Sequence, residues 1–133
     1  AMRRRGTPEA DLQRAVVHAL RLALPRDTII HHSPNEVTDP GPHGARRQAI
    51  LVGMGVHPGF ADLMVLSGGR VLFLELKALK GRLRIRQEAF RDAVLAQGFG
   101  WALVHSLDDA LAALADHGFT TRVAAPGGGR TSP

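Results

Sequence analysis

Apolar residues recur every three or four positions at Leu12, Val16, Ala19, Leu20 and Ala23, which is the stripe of an amphipathic helix. Thr7 supplies an N-cap, Pro8 suits the first helical position, Glu9 adds an acid to the first turn, and Pro25 stops the helix. Glu9 lies three residues ahead of Leu12 and is expected to continue the inward stripe. Residues 28–32 form a short β-branched run that reads as a first strand. Residues 33–44 hold three prolines and two glycines with Asn35 and Asp39, a long polar connection of the kind that carries function. A helix is expected over residues 45–54, shortened by Gly53 and Gly55.

Two runs, residues 61–66 and 71–77, then flank Gly68-Gly69, a pair suited to the positive φ of a two-residue hairpin turn. Both runs are apolar on both faces, as central strands covered by helices are. Residues 85–97 predict a helix with Gln87, Phe90 and Val94 on one stripe and Gly98 as its stop. Residues 101–105 read as a strand, and Ser106 caps a last helix whose Leu107, Ala110, Leu111 and Leu114 face inward, with Gly118 closing it. Residues 120–123 are expected to add a short edge strand. The two strands on either side of the 85–97 helix form a β-α-β crossover and should run parallel. The fold class is therefore α/β, a mixed central sheet flanked by helices.

Composition bounds what such a domain can be. At 133 residues, 44% hydrophobic and 22% charged, the chain reads as one globular domain. Ala1 ahead of Met2 is taken as a cloning remnant, residues 2–6 as a basic arm, and residues 124–133 as a flexible Gly/Pro-rich tail. No apolar run approaches the roughly 20 residues of a membrane span, so no membrane partner is expected, and a cytoplasmic setting is. Without cysteine there are no disulfides, thiolate ligands or thiol nucleophiles. The net charge of +5, carried by 15 arginines and 2 lysines, fits a polyanion such as nucleic acid. The absence of tyrosine and the 5% aromatic content argue against a base-stacking platform for single strands.

The hairpin register carries the chemistry. With Gly68-Gly69 as the turn, Ser67 pairs with Arg70, and Asp62 falls opposite Glu75. Like charges directly opposed across strands destabilise a sheet and call for a cation. Two carboxylates about 5 Å apart at Cβ can share a hard divalent ion, Mg²⁺ or Mn²⁺ rather than structural zinc. The Leu76 carbonyl is a further candidate ligand. Lys77, on the face of Glu75, could hold or deprotonate a water, or neutralise charge developing on a phosphate. The competing reading is a structural Asp62–Lys77 ion pair. Burying three ionisable groups in an apolar hairpin without a site would be costly, which favours the catalytic one.

Glu9 and Gln87 both begin helices on core-facing stripes and so could reach this centre. Glu9 serves equally well as a first-turn acid on the helix dipole, and Gln87 as a polar helix-start residue. Arg46 and Arg47, and Arg82, Arg84 and Arg86 after the lysine strand, are candidate phosphate contacts. His57 is a candidate substrate contact. The seven histidines match no helix-borne zinc spacing.

Gly59-Phe60-Ala61-Asp62, Glu75-Leu76-Lys77, Gly81-Arg82-Leu83 and Gln87, with Ser33-Pro34-Asn35-Glu36 upstream, resemble the PD-(D/E)XK nuclease superfamily. The resemblance is closest to its VRR-NUC branch, including stand-alone phage and bacterial members. It covers residues 9 to about 114 and assigns residues 7–123 to one VRR-NUC-like domain. It implies a restriction-endonuclease-like αβββαβ core and a divalent-metal-dependent DNA endonuclease, with Asp62 and Glu75 as ligands, Lys77 as catalytic lysine, and Glu9 and Gln87 in support. For small members it further implies a homodimer acting on branched DNA such as Holliday junctions. The alternative is a DNA-binding module of the same fold without turnover. Two positions depart from the pattern: Ala61 replaces the proline usual before the aspartate, and residues 83–87 lack a Ser/Thr-Pro pair to cap the next helix.

Overall fold

The computed structural model describes residues 7–34 and 41–122. The expected role of Asn35-Glu36, the basic arm, and the tail from Val123 onward lie outside them. In chain order the elements are α1 (Pro8–Ala23), β1 (Ile29–His32), α2 (Pro42–Gly53), β2 (Leu63–Ser67), β3 (Arg70–Leu76), α3 (Ile85–Ala96), β4 (Gly100–Val104) and α4 (Leu107–Asp116). The four strands form one sheet in the order β1-β2-β3-β4. β1, β2 and β3 pair antiparallel, while β4 returns through α3 to lie parallel to β3. No described helix is long and apolar enough to cross a membrane.

Strand alternation divides the interior into two cores. Leu63, Val65, Leu72, Leu74, Leu76 and Val104 pack with Val16, Leu20 and Leu24 from the α1 end and with Ala110, Ala113 and Leu114 of α4. On the other face Phe73, with Ala61 beside it, meets Phe90 and Val94 of α3, and Phe60, Met64, Val71 and Trp101 close around them. Phe60, Phe73 and Phe90 touch edge to face or tilted, with centroids 4.7–5.5 Å apart, which adds to their burial energy. Glu75 and Lys77 alternate with Phe73 and therefore belong to the α3 face.

The caps explain the helix boundaries. Thr7 Oγ1 accepts the Ala10 N–H at 3.0 Å and Ser106 Oγ the Asp109 N–H at 3.1 Å, each answering one of the donors a helix start leaves free. Gly68 and Gly69 both have positive φ, 59° and 78°, and the hairpin takes the register expected from them, with Ser67 opposite Arg70 and Leu63 opposite Leu74.

Four expectations need correction. Helix α2 starts at Pro42, not residue 45, because Gly41 supplies an extended N-cap and Pro42 occupies the first turn. Leu107 and Leu111 are 40% and 43% exposed; the inward stripe of α4 is Ala110, Ala113 and Leu114, whose small residues allow close approach to the sheet. Residues 120–122 form no strand. Arg122 instead caps the end of α1, with Nε donating to the Leu24 carbonyl at 2.8 Å and Nη2 to the Arg21 and Leu22 carbonyls. Finally, Glu9 is exposed: α1 buries Val16 and Leu20, and its first turn lies before the stripe meets the sheet.

Candidate active site

One end of the sheet collects the C-termini of β1, β3 and β4 and the N-terminus of β2. The helices α1, α3 and α4 also begin at this end, since α1 runs back along the strand it precedes and α3 and α4 start where β3 and β4 finish. Asp62 stands immediately before β2, on the ladder step facing Glu75. The Lys77 N–H bonds the Val104 carbonyl at 3.0 Å, so the odd-numbered residues of β3 turn their backbone groups toward β4. Asp62 and Glu75 thus occupy a non-hydrogen-bonded step, where side chains come closest and Cα atoms lie about 4.5 Å apart in regular sheets.

At the next step the ladder gives way. A regular continuation would hand the Leu76 N–H to the carbonyl of Ala61; instead Asp62 Oδ2 accepts it at 2.8 Å. The aspartate substitutes for the strand it interrupts and is fixed by that bond, leaving Oδ1 without a hydrogen bond among the described residues. The Leu76 carbonyl points to the same side as its N–H, toward Asp62.

Glu75 is 1% exposed, Lys77 and Gln87 7% each. Gln87 Nε2 donates to Glu75 Oε2 at 3.0 Å, and Lys77 Nζ lies 4.0 Å from the same oxygen. Gln87 Oε1 accepts the Arg84 N–H at 2.8 Å. The expected helix cap is therefore made backwards, from the third helical residue, which is the reciprocal half of a capping box. An arginine at the N-cap has no acceptor for the other half. The same amide that caps α3 holds the glutamate, which accounts for the absent Ser/Thr-Pro pair.

Two glycines bring these parts together. A Cβ on Gly59, whose φ is +79°, would overlap the Arg86 carbonyl and lie 2.9 Å from the Gln87 nitrogen. Only glycine lets the 57–60 loop lie against the first turn of α3. Gly81 rests on the lysine: a Cβ there would stand 3.3–3.4 Å from Lys77 Cβ and Cδ. Ala61, fully buried under the aromatic core, fills the place of the usual proline.

The sequence did not place His32 or His105 beside these candidate residues. His32 Nδ1 lies 3.0 Å from the Asp62 carbonyl and His105 Nδ1 3.1 Å from the Lys77 carbonyl. A carbonyl only accepts, so each Nδ1 carries the proton. Both histidines lie at strand C-termini beside a candidate residue, a signal visible only once the strand order is known. Glu9, exposed at the start of α1, makes no side-chain hydrogen bond or ion pair among the described residues. Arg46, Arg47, Arg82, Arg84 and Arg86 are all exposed, the last three on the segment between Lys77 and Gln87. His57 is exposed, its Nδ1 held by the Pro58 carbonyl at 2.9 Å and its ring edge-on to Phe90 at 5.7 Å.

Among the described residues no group of three or more His, Asp or Glu side chains is placed to hold a metal. The donor set is instead two carboxylates opposed across one ladder step, a backbone carbonyl beside them, and a single ammonium. Oxygen-only donors with more carboxylate than ammonium suit a hard divalent cation that keeps several waters, so the residues fit an ion of that class.

No protein-family profile and no curated protein sequence matches the chain. A solved structure described as a VRR_NUC domain protein superposes on it with a TM-score of 0.62 at 19% identity, over 86% of this chain and 90% of that one. At that identity the likeness establishes the fold. The α/β, restriction-endonuclease-like architecture, a mixed sheet between helices, is shared with the VRR_NUC structure.

Proposed function

We propose that this chain is a Mg²⁺- or Mn²⁺-dependent endodeoxyribonuclease that hydrolyses phosphodiesters, selective for branched DNA such as Holliday junctions and acting as a homodimer. The observation that carries the reading is the buried Glu75–Lys77–Gln87 cluster, with Asp62 on the facing ladder step at the open end of the sheet. Burying a carboxylate and an ammonium in an apolar sheet costs solvation that a structural pair at 4.0 Å repays poorly, and the VRR_NUC structure of the same fold supports the same chemistry.

Asp62 Oδ1, Glu75 and the Leu76 carbonyl are the groups that would hold the cation. When bound, it supplies positive charge to polarise a phosphoryl oxygen and lower the pKa of a water. The chain does the rest. Leu76 N–H and Gln87 Nε2 each occupy one carboxylate oxygen, so that both ligands are fixed before substrate arrives. Lys77, anchored by its stem under Gly81, carries an ammonium that makes no hydrogen bond among the described residues. It is thus available to orient the attacking water or to neutralise charge growing on the phosphate. Arg82, Arg84 and Arg86 offer bidentate phosphate contacts on the segment that leads from the lysine to Gln87.

The test is a cleavage panel of four-way junction, flap, nicked duplex, plain duplex and single strand, each with Mg²⁺, Mn²⁺ or EDTA. Cutting with either metal, abolished by EDTA and strongest on the branched substrates, is expected. Symmetric cuts across a junction would mark the dimer. Cleavage that survives EDTA would overturn the metal assignment, and salt-dependent binding without any cleavage would identify a binding module instead.

A further inference from the structure

Beside the carboxylate step lies a cavity of about 400 Å³ that the proposed mechanism does not use. His31, Ser33, Pro34, Leu51, His57 and Phe60 contribute to its walls. Its position relative to the candidate metal ligands follows from the β1–β2 register. His31 pairs with Met64, and the Ser33 N–H donates to the Asp62 carbonyl at 3.1 Å, so Ser33 stands directly across from Asp62. Alternation then places the side chains of His31 and Ser33 on the face that holds Asp62, Met64, Phe73 and Glu75. The opposite wall is the C-terminal turn of α2, where Leu51 accepts the Val56 N–H at 2.9 Å.

The lining selects the kind of ligand. Among the described residues its lining holds no lysine, arginine, aspartate or glutamate, so these walls are built neither for a phosphate nor for a cation. It offers instead the flat surfaces of Pro34, Phe60 and an imidazole, with hydrogen-bonding atoms among them. His57 Nδ1 is committed to the Pro58 carbonyl, so in the neutral ring Nε2 is an acceptor, and the Ser33 hydroxyl can donate or accept. An apolar slot with a few placed polar groups, and a volume within the usual range for small ligands, suits a planar, neutral heterocycle.

We infer that this cavity receives one nucleobase, unstacked from its duplex, next to the phosphate held at Asp62 and Glu75. The inference rests on the nuclease reading and sharpens it: the preferred substrate has an unpaired or easily unpaired nucleotide beside the cut. A base in a duplex must first be flipped out of the stack, at a cost that is least where pairing is already broken. Branch points, flaps and gaps meet that condition, and the slot gives a physical reason for selectivity toward them. One slot is also compatible with a chain too poor in aromatics for an extended stacking surface.

The experiment is a coupling cycle on binding. A branched DNA is made with a single abasic residue at each successive position around the branch, and its affinity is measured for Lys77→Met protein. The same series is measured after adding Leu51→Trp, which fills the cavity, and separately after adding His31→Ala with Ser33→Ala, which leaves it open but strips polar groups. At one position base removal and Leu51→Trp should each weaken binding on the order of tenfold, and together by no more than either alone. The His31/Ser33 pair should show partial coupling at the same position, which keeps the test valid if the tryptophan disturbs folding. Effects that add at every position, or no effect of base removal anywhere, would overturn the slot. Absence of metal-dependent cleavage by the parent chain would overturn the nuclease reading instead, and it is measured separately.

Discussion

The amide of Gln87 accepts the Arg84 N–H through its oxygen and donates through its nitrogen to Glu75 Oε2, so one side chain both starts α3 and holds a candidate ligand. Outer hydrogen bonds of this kind tune metal affinity as well as orientation. Replacing Gln87 by Ala is expected to raise the metal concentration for half-maximal cleavage by about 10- to 100-fold, with the protein still folded by circular dichroism. An unchanged metal requirement would show that the amide only caps the helix. Much of this residue-scale picture was legible in the sequence. The sum of positions across a Gly-Gly turn is enough to oppose Asp62 and Glu75, and the spacing of Gln87, Phe90 and Val94 is enough to turn the glutamine inward. The burial expected of Glu9 was misread for a physical reason: helical periodicity tells which side of the helix a residue lies on, but not whether anything packs over its first turn.

At the scale of elements, α3 is positioned from two sides: Phe90 and Val94 pack on the sheet, and the 57–60 loop bears on its first turn through Gly59. Gly59→Ala is therefore expected to displace that turn, lowering Tm and also raising the metal requirement. Gly68→Ala is the control, since its φ of +59° is also strained but a Cβ there meets nothing within 4 Å. It should lower stability alone, by about 1–2 kcal/mol. Equal metal requirements in the two variants would refute the positioning role of Gly59. The roles of Gly59, His32 and His105 were hidden from the sequence because each depends on contacts between segments distant along the chain. The inward face of α4 was half mistaken for the same reason: Ala110 and Leu114 face inward as expected, but only the packing against the sheet shows that Ala113, and not Leu107 or Leu111, completes that face.

For the whole molecule, strand order decides where chemistry can occur. The crossover that keeps β4 parallel to β3 gathers three strand ends and three helix starts at one end of the sheet, and it is there that Asp62 interrupts the ladder and the buried lysine lies. The excess of arginine gives the surface a positive charge that favours a polyanion, while the buried cluster is what would turn binding into cutting. The most direct measurement compares cleavage and binding of the same branched DNA by the parent and by Lys77→Met, a change that keeps the aliphatic stem under Gly81 and removes only the ammonium. Cleavage in Mg²⁺ is expected to fall by about a hundredfold or more while affinity for the DNA stays the same. Cleavage at the parental rate, or a loss of binding that matches the loss of cleavage, would contradict a catalytic role for this centre.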